Sequence, residues 1–170
     1  MNAKTLDRKR LYLVGNLSIF MIGLGFAVRT NIGPNLLAEI YDKIDLANSA
    51  AMLGEAMGAT FVGFALTLLF GSALVDLIGM KRMLLLSALG YVAGAAGLLA
   101  GAMMPVSGMV ETVILLSLLL TGLGWGAVEA ASNPMVAALY PDEKTHRLNI
   151  LHAWWPAGIV VGGLMGVAIS

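Results

Sequence analysis

The stretch GSALVDLIGMKR, residues 71–82, sets an acid, a glycine and two adjacent bases between long apolar runs. Asp76, Gly79, Lys81 and Arg82 interrupt hydrophobic sequence that extends back to about residue 49 and forward to about residue 103. Such a break reads as a tight polar turn between membrane-crossing helices, because a helix needs about 20 mostly apolar residues to cross a hydrocarbon core of about 30 Å. The same criterion carried outward gives five spans, approximately 11–38, 49–75, 83–103, 110–139 and 148–170. Their connections, EIYDKIDLAN, GMKR, MMPVSG and YPDEKTHR, are short, so successive helices are antiparallel neighbours. The expected fold class is an all-α integral membrane bundle.

Composition agrees. Of 170 residues, 59% are hydrophobic and 12% charged, an apolar content above that of ordinary soluble domains. Ten basic and ten acidic residues cancel, which leaves no electrostatic case for a nucleic-acid partner, so the expected environment is the lipid bilayer. Cysteine is absent, and His146 and His152 have no carboxylate at ligand spacing, so neither a metal nor another cofactor is expected. The first span is too long for the apolar region of a cleavable signal peptide. Lys4, Arg8, Lys9, Arg10, Lys81, Arg82, Lys144 and Arg147 fall on one side of the zigzag and Lys43 on the other. The positive-inside rule then predicts a multi-pass protein of the cell membrane with a cytoplasmic N-terminus. The last span ends at GGLMGVAIS without a charged or aromatic anchor, which reads as a truncated chain; a complete small protein ending at the outer interface is the other reading.

The chain holds 21 glycines, and between membrane helices small residues let backbones approach closely. Gly54 and Gly58, then Gly90, Gly94 and Gly97, then Gly158, Gly162 and Gly166 recur at i, i+3 or i+4, so each set is expected to form a packing seam.

The loop GSALVDLIGMKR resembles the signature loop of the major facilitator superfamily, G-x-x-x-D-[RK]-x-G-R-[RK], which joins that fold's second and third helices. Asp76, Gly79, Lys81 and Arg82 match; Ser72 stands at the first glycine position, and Leu77 and Met80 replace basic residues. The resemblance implies that these residues form a gating loop that latches the two halves of a transporter. GWGAVEAASNP, residues 124–134, followed by RLNILHAWWPAG, residues 147–158, is similar to the fourth and fifth helices of fucose-type proton symporters in that superfamily. Glu129, Ala131, Asn133, Pro134, Arg147, Leu148 and Asn149 match; His152 stands for a glutamine, Trp154 for a phenylalanine and Trp155 for an asparagine. The Asn-Asp pair of that family's first helix is here Asn31 followed by Ile32. The chain would thus be part of the N-terminal six-helix bundle of a major-facilitator fold, residues 1–170, whose remaining half or a second copy is its partner.

Ionisable groups within spans usually face a bundle interior or a cavity, since a charge at mid-bilayer costs about 2.5 to 3.5 kcal/mol. Glu129 is the proton-coupling candidate, and a static hydrogen bond to a neighbouring helix is its alternative. Gly122, Gly126, Glu129 and Asn133 share one helical face. Arg29 either forms a structural ion pair or grips an anionic or hydroxyl-rich solute. Pro34 is expected to break the first helix between Asn31 and Asn35, exposing polar groups to solute. Asn149, His152 and Pro156 form a stripe on the last span with Trp154 and Trp155 beside it, so Asn31, Asn35, Asn133, Asn149, His152 and Trp154 join Arg29 as candidate solute contacts; packing or interfacial hydrogen bonding for His152, and the interfacial aromatic belt for the indoles, are the alternatives. Glu55 and Glu111 read as interfacial. The leading expectation is not an enzyme but a secondary transporter, importing a small polar solute such as a sugar with a proton by alternating access. A small helical assembly or structural protein is the rival.

Overall fold

The computed structural model describes residues 7–169; Lys4, counted above among the bases, lies outside them. Helix α1 runs Arg8–Leu36, continues through a π-turn at Leu37–Tyr41 and ends in the short α2, Asp42–Asp45. Then follow α3 (Ser49–Ile78), α4 (Met80–Ala102), α5 (Gly108–Leu139), a 3-10 turn (Pro141–Glu143) and α6 (Lys144–Ile169). Five segments are long and apolar enough to cross a membrane: Arg8–Asp45, Ser49–Gly71, Met80–Ala102, Gly108–Leu139 and Pro141–Ala168. The backbone logic is that of a bilayer, where each main-chain polar group must be satisfied within its own helix.

The boundaries differ from expectation in an instructive way. Residues 39–45, expected as connection, are helical, and the loop shrinks to residues 46–48. Leu36, Leu37, Ile40, Tyr41 and Ile44 recur at helical spacing and pack on Ala56, Val110, Ile114 and Leu118, so the helix outlasts its apolar span because one face still has a core to cover. Asp45 then turns the chain, accepting hydrogen bonds from the Ala47 amide (3.1 Å) and the Asn48 side chain (2.7 Å). Between α3 and α4 the expected loop contracts to Gly79, whose φ of 84° an L side chain rarely adopts. The expected break at Pro34 is absent: α1 passes through it unbroken, and α5 and α6 likewise contain Pro134 and Pro156. Each proline deletes one main-chain bond, a loss that packed membrane helices tolerate.

The chain forms two compact units. In the unit spanning Ile32–Ala131, α5 is the shared strut. A Cβ added to Gly63 would stand 2.8 Å from the Leu123 nitrogen, one on Gly122 2.7 Å from the Thr60 carbonyl carbon, and one on Gly126 2.7 Å from the Phe64 oxygen, so the α3 and α5 backbones touch along this seam. On the α4 side, Gly90 meets Gly124, Gly94 meets Ser117 and Thr121, and Gly97 meets Ser117. Thr67, Ser117 and Thr121 bond their hydroxyls to carbonyls four residues earlier, which satisfies the polar atom and leaves a compact knob for a glycine hole. The second unit comprises α1 up to Asn31 and the chain from Ser132 onward. Here α1 and α6 run parallel in one register: Tyr12 meets Arg147, Gly158 packs on Phe20 and Leu24, Gly162 on Leu24 and Ala27, and Gly166 on Asn31. The seams expected at 90/94/97 and 158/162/166 therefore exist. Gly54 and Gly58 do not form one among the described residues, where an added Cβ meets nothing within 4 Å.

Candidate functional site

In the Ile32–Ala131 unit, Glu129 is half-buried on α5, directly after a continuously buried stretch, 124–128, and two residues before buried Ala131. It is not without a partner. Gly122 and Gly126, which share its face, are filled by the α3 backbone at Thr60 and Phe64 and do not line an open groove. Trp125 is buried, and its neighbour Gly124 packs on α4 beside Tyr91. Asn35 is exposed in the last turn of α1. Glu55 is exposed and Glu111 half-buried, as interfacial acids near helix ends would be.

The second unit holds most of the remaining candidates. Arg29 is only 6% exposed, and its guanidinium carbon lies 5.0 Å from the centre of the Phe26 ring. Phe26 in turn sits 5.8 Å from the Trp155 ring. Asn31 donates its amide to the Gly162 carbonyl at 3.2 Å, so it joins α1 to α6. Trp154 meets Phe20 edge-on at 6.0 Å. Asn149 and His152 are exposed on a stripe of α6 other than the one that packs on α1 at residues 151, 158 and 162. Asn133 is half-buried and Pro134 exposed on α5. The α1–α6 seam holds Asn31, whereas Arg29 stands over Phe26 on another face of α1, and Asn149 and His152 lie outside the seam.

Sequence reading missed two polar residues in this unit. Asn16 is 6% exposed and Ser132 0%, and among the described residues Asn16 Oδ1 and Ser132 Oγ make no hydrogen bond. Asn16 had a legible signal, an amide inside LYLVGNLSIF, to which the rule applied to Glu129 extends. Nearby, the Arg147 guanidinium stands 4.6 Å from the Tyr140 ring centre and 5.5 Å from that of Tyr12, bonds Glu143 through Nε and Nη2 at 2.8 Å each, and its carbonyl accepts the Tyr12 hydroxyl at 3.0 Å.

At the α3–α4 turn, Asp76, Lys81 and Arg82 are all exposed around Gly79. Ion pairs elsewhere join Arg10 to Asp7, Lys43 to Glu39 and Arg147 to Glu143. A turn of this kind offers one acceptor and two strong donors to whatever adjoins it. Among the described residues no group of three or more His, Cys, Asp or Glu side chains could hold a metal ion.

No curated protein and no solved structure matches the chain. The family profile described as Major Facilitator Superfamily matches residues 6–170. That match runs through every span and includes the Asp76–Arg82 turn where the signature loop stands. The protein is a multi-pass membrane transporter, and its chain belongs to the major facilitator superfamily.

Proposed function

We propose that the protein is a proton-coupled symporter of a small polar solute, with sugars as the first class to test, working by alternating access in the cell membrane with its N-terminus in the cytoplasm. It carries out no covalent chemistry. Glu129 loads and releases the proton, and Asn133, one helical turn further along α5, hydrogen-bonds the solute. Arg29 supplies a permanent positive charge, and Asn35, Asn149, His152 and Trp154 are further solute contacts. The single observation that carries this reading is the placement of Glu129, a half-buried carboxylate inside a spanning helix that directly follows the buried stretch 124–128. In this architecture two halves enclose the site, and the chain would build part of one of them. Uncovered Gly54 and Gly58 favour a further helix, from the remaining half or another copy, against α3.

The test uses full-length protein in vesicles and a panel of radiolabelled aldohexoses and deoxyhexoses. Glu129→Gln keeps shape and hydrogen bonding but cannot titrate. It should abolish accumulation driven by a proton gradient and spare counterflow exchange, which needs no net proton movement. Uphill uptake retained in the glutamine variant sinks the coupling role.

A further inference from the structure

We infer that Trp155 is a positioning residue that, through the Phe26 ring, sets where the Arg29 guanidinium stands. The functional consequence rests on the reading of Arg29 as a solute contact; the geometry does not.

Three observations carry it. The Arg29 guanidinium carbon lies 5.0 Å from the centre of the Phe26 ring, within the range in which a cation is held by the ring's negative face. Phe26 is braced by Trp155, ring centres 5.8 Å apart and planes tilted at 57°, within the contact range of aromatic pairs. Trp155 is itself held in place. A Cβ on Gly23 would lie 2.9 Å from the Trp155 carbonyl carbon and 3.1 Å from the Ile159 nitrogen, so the α6 main chain rests directly on α1 about one turn before Phe26. Further along the seam, Ala27 meets Gly162 and Asn31 bonds the Gly162 carbonyl, which clamps the helices on the other side of the aromatic pair. The indole therefore starts from a fixed backbone.

A phenylalanine in a helix has two accessible χ1 wells, and contact with the indole favours the one observed. A cation held over a ring keeps its position relative to that ring, so fixing Phe26 limits where the Arg29 N–H donors can reach, toward a carboxylate or a pair of neighbouring hydroxyls. Trp154, the tryptophan that sequence reading favoured, packs on Phe20 instead.

The experiment labels the arginines of the full-length protein with nitrogen-15 and follows the Arg29 Nε–Hε signal, assigned by its loss in Arg29→Lys. Phe26→Leu gives the position of the signal without the ring. Trp155→Leu should move the wild-type signal toward that position, Trp155→Phe should hold it near the wild-type value, and Trp154→Leu should leave it in place. Should Trp155→Leu fail to reach the membrane, Trp155→Met is read in the same way. A signal that coincides with wild type in the leucine or methionine variant overturns the inference. Uptake of the labelled sugars supplies the second arm: half-saturation should rise several-fold in Trp155→Leu with maximal velocity largely kept. A moved signal with unchanged half-saturation upholds the positioning role and sinks Arg29 as a solute contact.

Discussion

Gly122 offers the sharpest test of how this bundle is held. An alanine there would place its Cβ 2.7 Å from the Thr60 carbonyl carbon and 2.9 Å from the Thr60 Cα. Carbon atoms pack best at about 3.5 to 4.0 Å, so α3 and α5 would have to separate by roughly 1 Å, and a gap of that size forfeits about a quarter to a half of each dispersion contact along the seam. Overpacking costs about 1 to 3 kcal/mol, and the upper end applies because the clash is with main chain that no rotamer change can move. Alanine recovers about 0.8 to 1.0 kcal/mol of helix propensity, for a net loss of about 2 kcal/mol. At roughly 2 to 4 °C per kcal/mol for a chain of this size, the unfolding midpoint should fall by about 4 to 8 °C. Gly101→Ala is the control: its Cβ would meet the side chains of Ile114 at 3.3 Å and Val113 at 3.5 Å, which can yield, and its midpoint should stay near wild type. Thermal unfolding of the detergent-purified protein, followed by tryptophan fluorescence, reads both. An unshifted Gly122→Ala, or one rescued by Thr60→Ala, refutes the main-chain argument.

Other outcomes follow from the same geometry. In Gly97→Ala the neighbour is the Ser117 side chain, with its Cβ at 3.2 Å, so Ser117→Gly should restore much of the lost thermal stability in a double-mutant cycle. Arg147→Ala removes the guanidinium between Tyr12 and Tyr140 and should lower the melting midpoint, whereas Arg147→Lys, lacking the planar fork, should recover only part of it. If Asp76 serves as a latch, Asp76→Asn should slow uptake velocity while leaving equilibrium binding of the transported sugar nearly unchanged, and an unaltered velocity would make the turn merely solvated. Reporter fusions after Lys81 or Lys144 should be cytoplasmic and those near Lys43 or Ser107 external; an external signal at Lys81 reverses the orientation.

Several residues show where sequence reading stopped. Glu129 and Arg29 were legible as site candidates because an ionisable side chain inside an apolar run is conspicuous, and the structure keeps Arg29 buried and Glu129 half-buried. Asn31 was legible as polar but not as a link between α1 and α6, since its partner is the Gly162 carbonyl, which carries no side-chain signal. The choice between Trp154 and Trp155 was invisible, because adjacent residues on a helix point about 100° apart and composition does not say which direction meets α1.

The sequence by itself determined that the chain is helical, that it has five spans, and where the charged turn between α3 and α4 falls. Those features follow from a local rule, since a bilayer tests each stretch of about 20 residues for apolarity and for internally satisfied backbone. Only the tertiary structure decided which glycines are seams. Gly54 and Gly58 share the spacing of Gly158 and Gly162, yet an added Cβ meets nothing at the first pair and the α1 backbone or side chains at the second. Helical periodicity puts residues on one face; what covers that face depends on chain far away in sequence. The same holds at residues 39–45, where a segment polar enough to read as a loop stays helical because Ile40 and Tyr41 find a core formed by Ala56, Val110, Ile114 and Leu118.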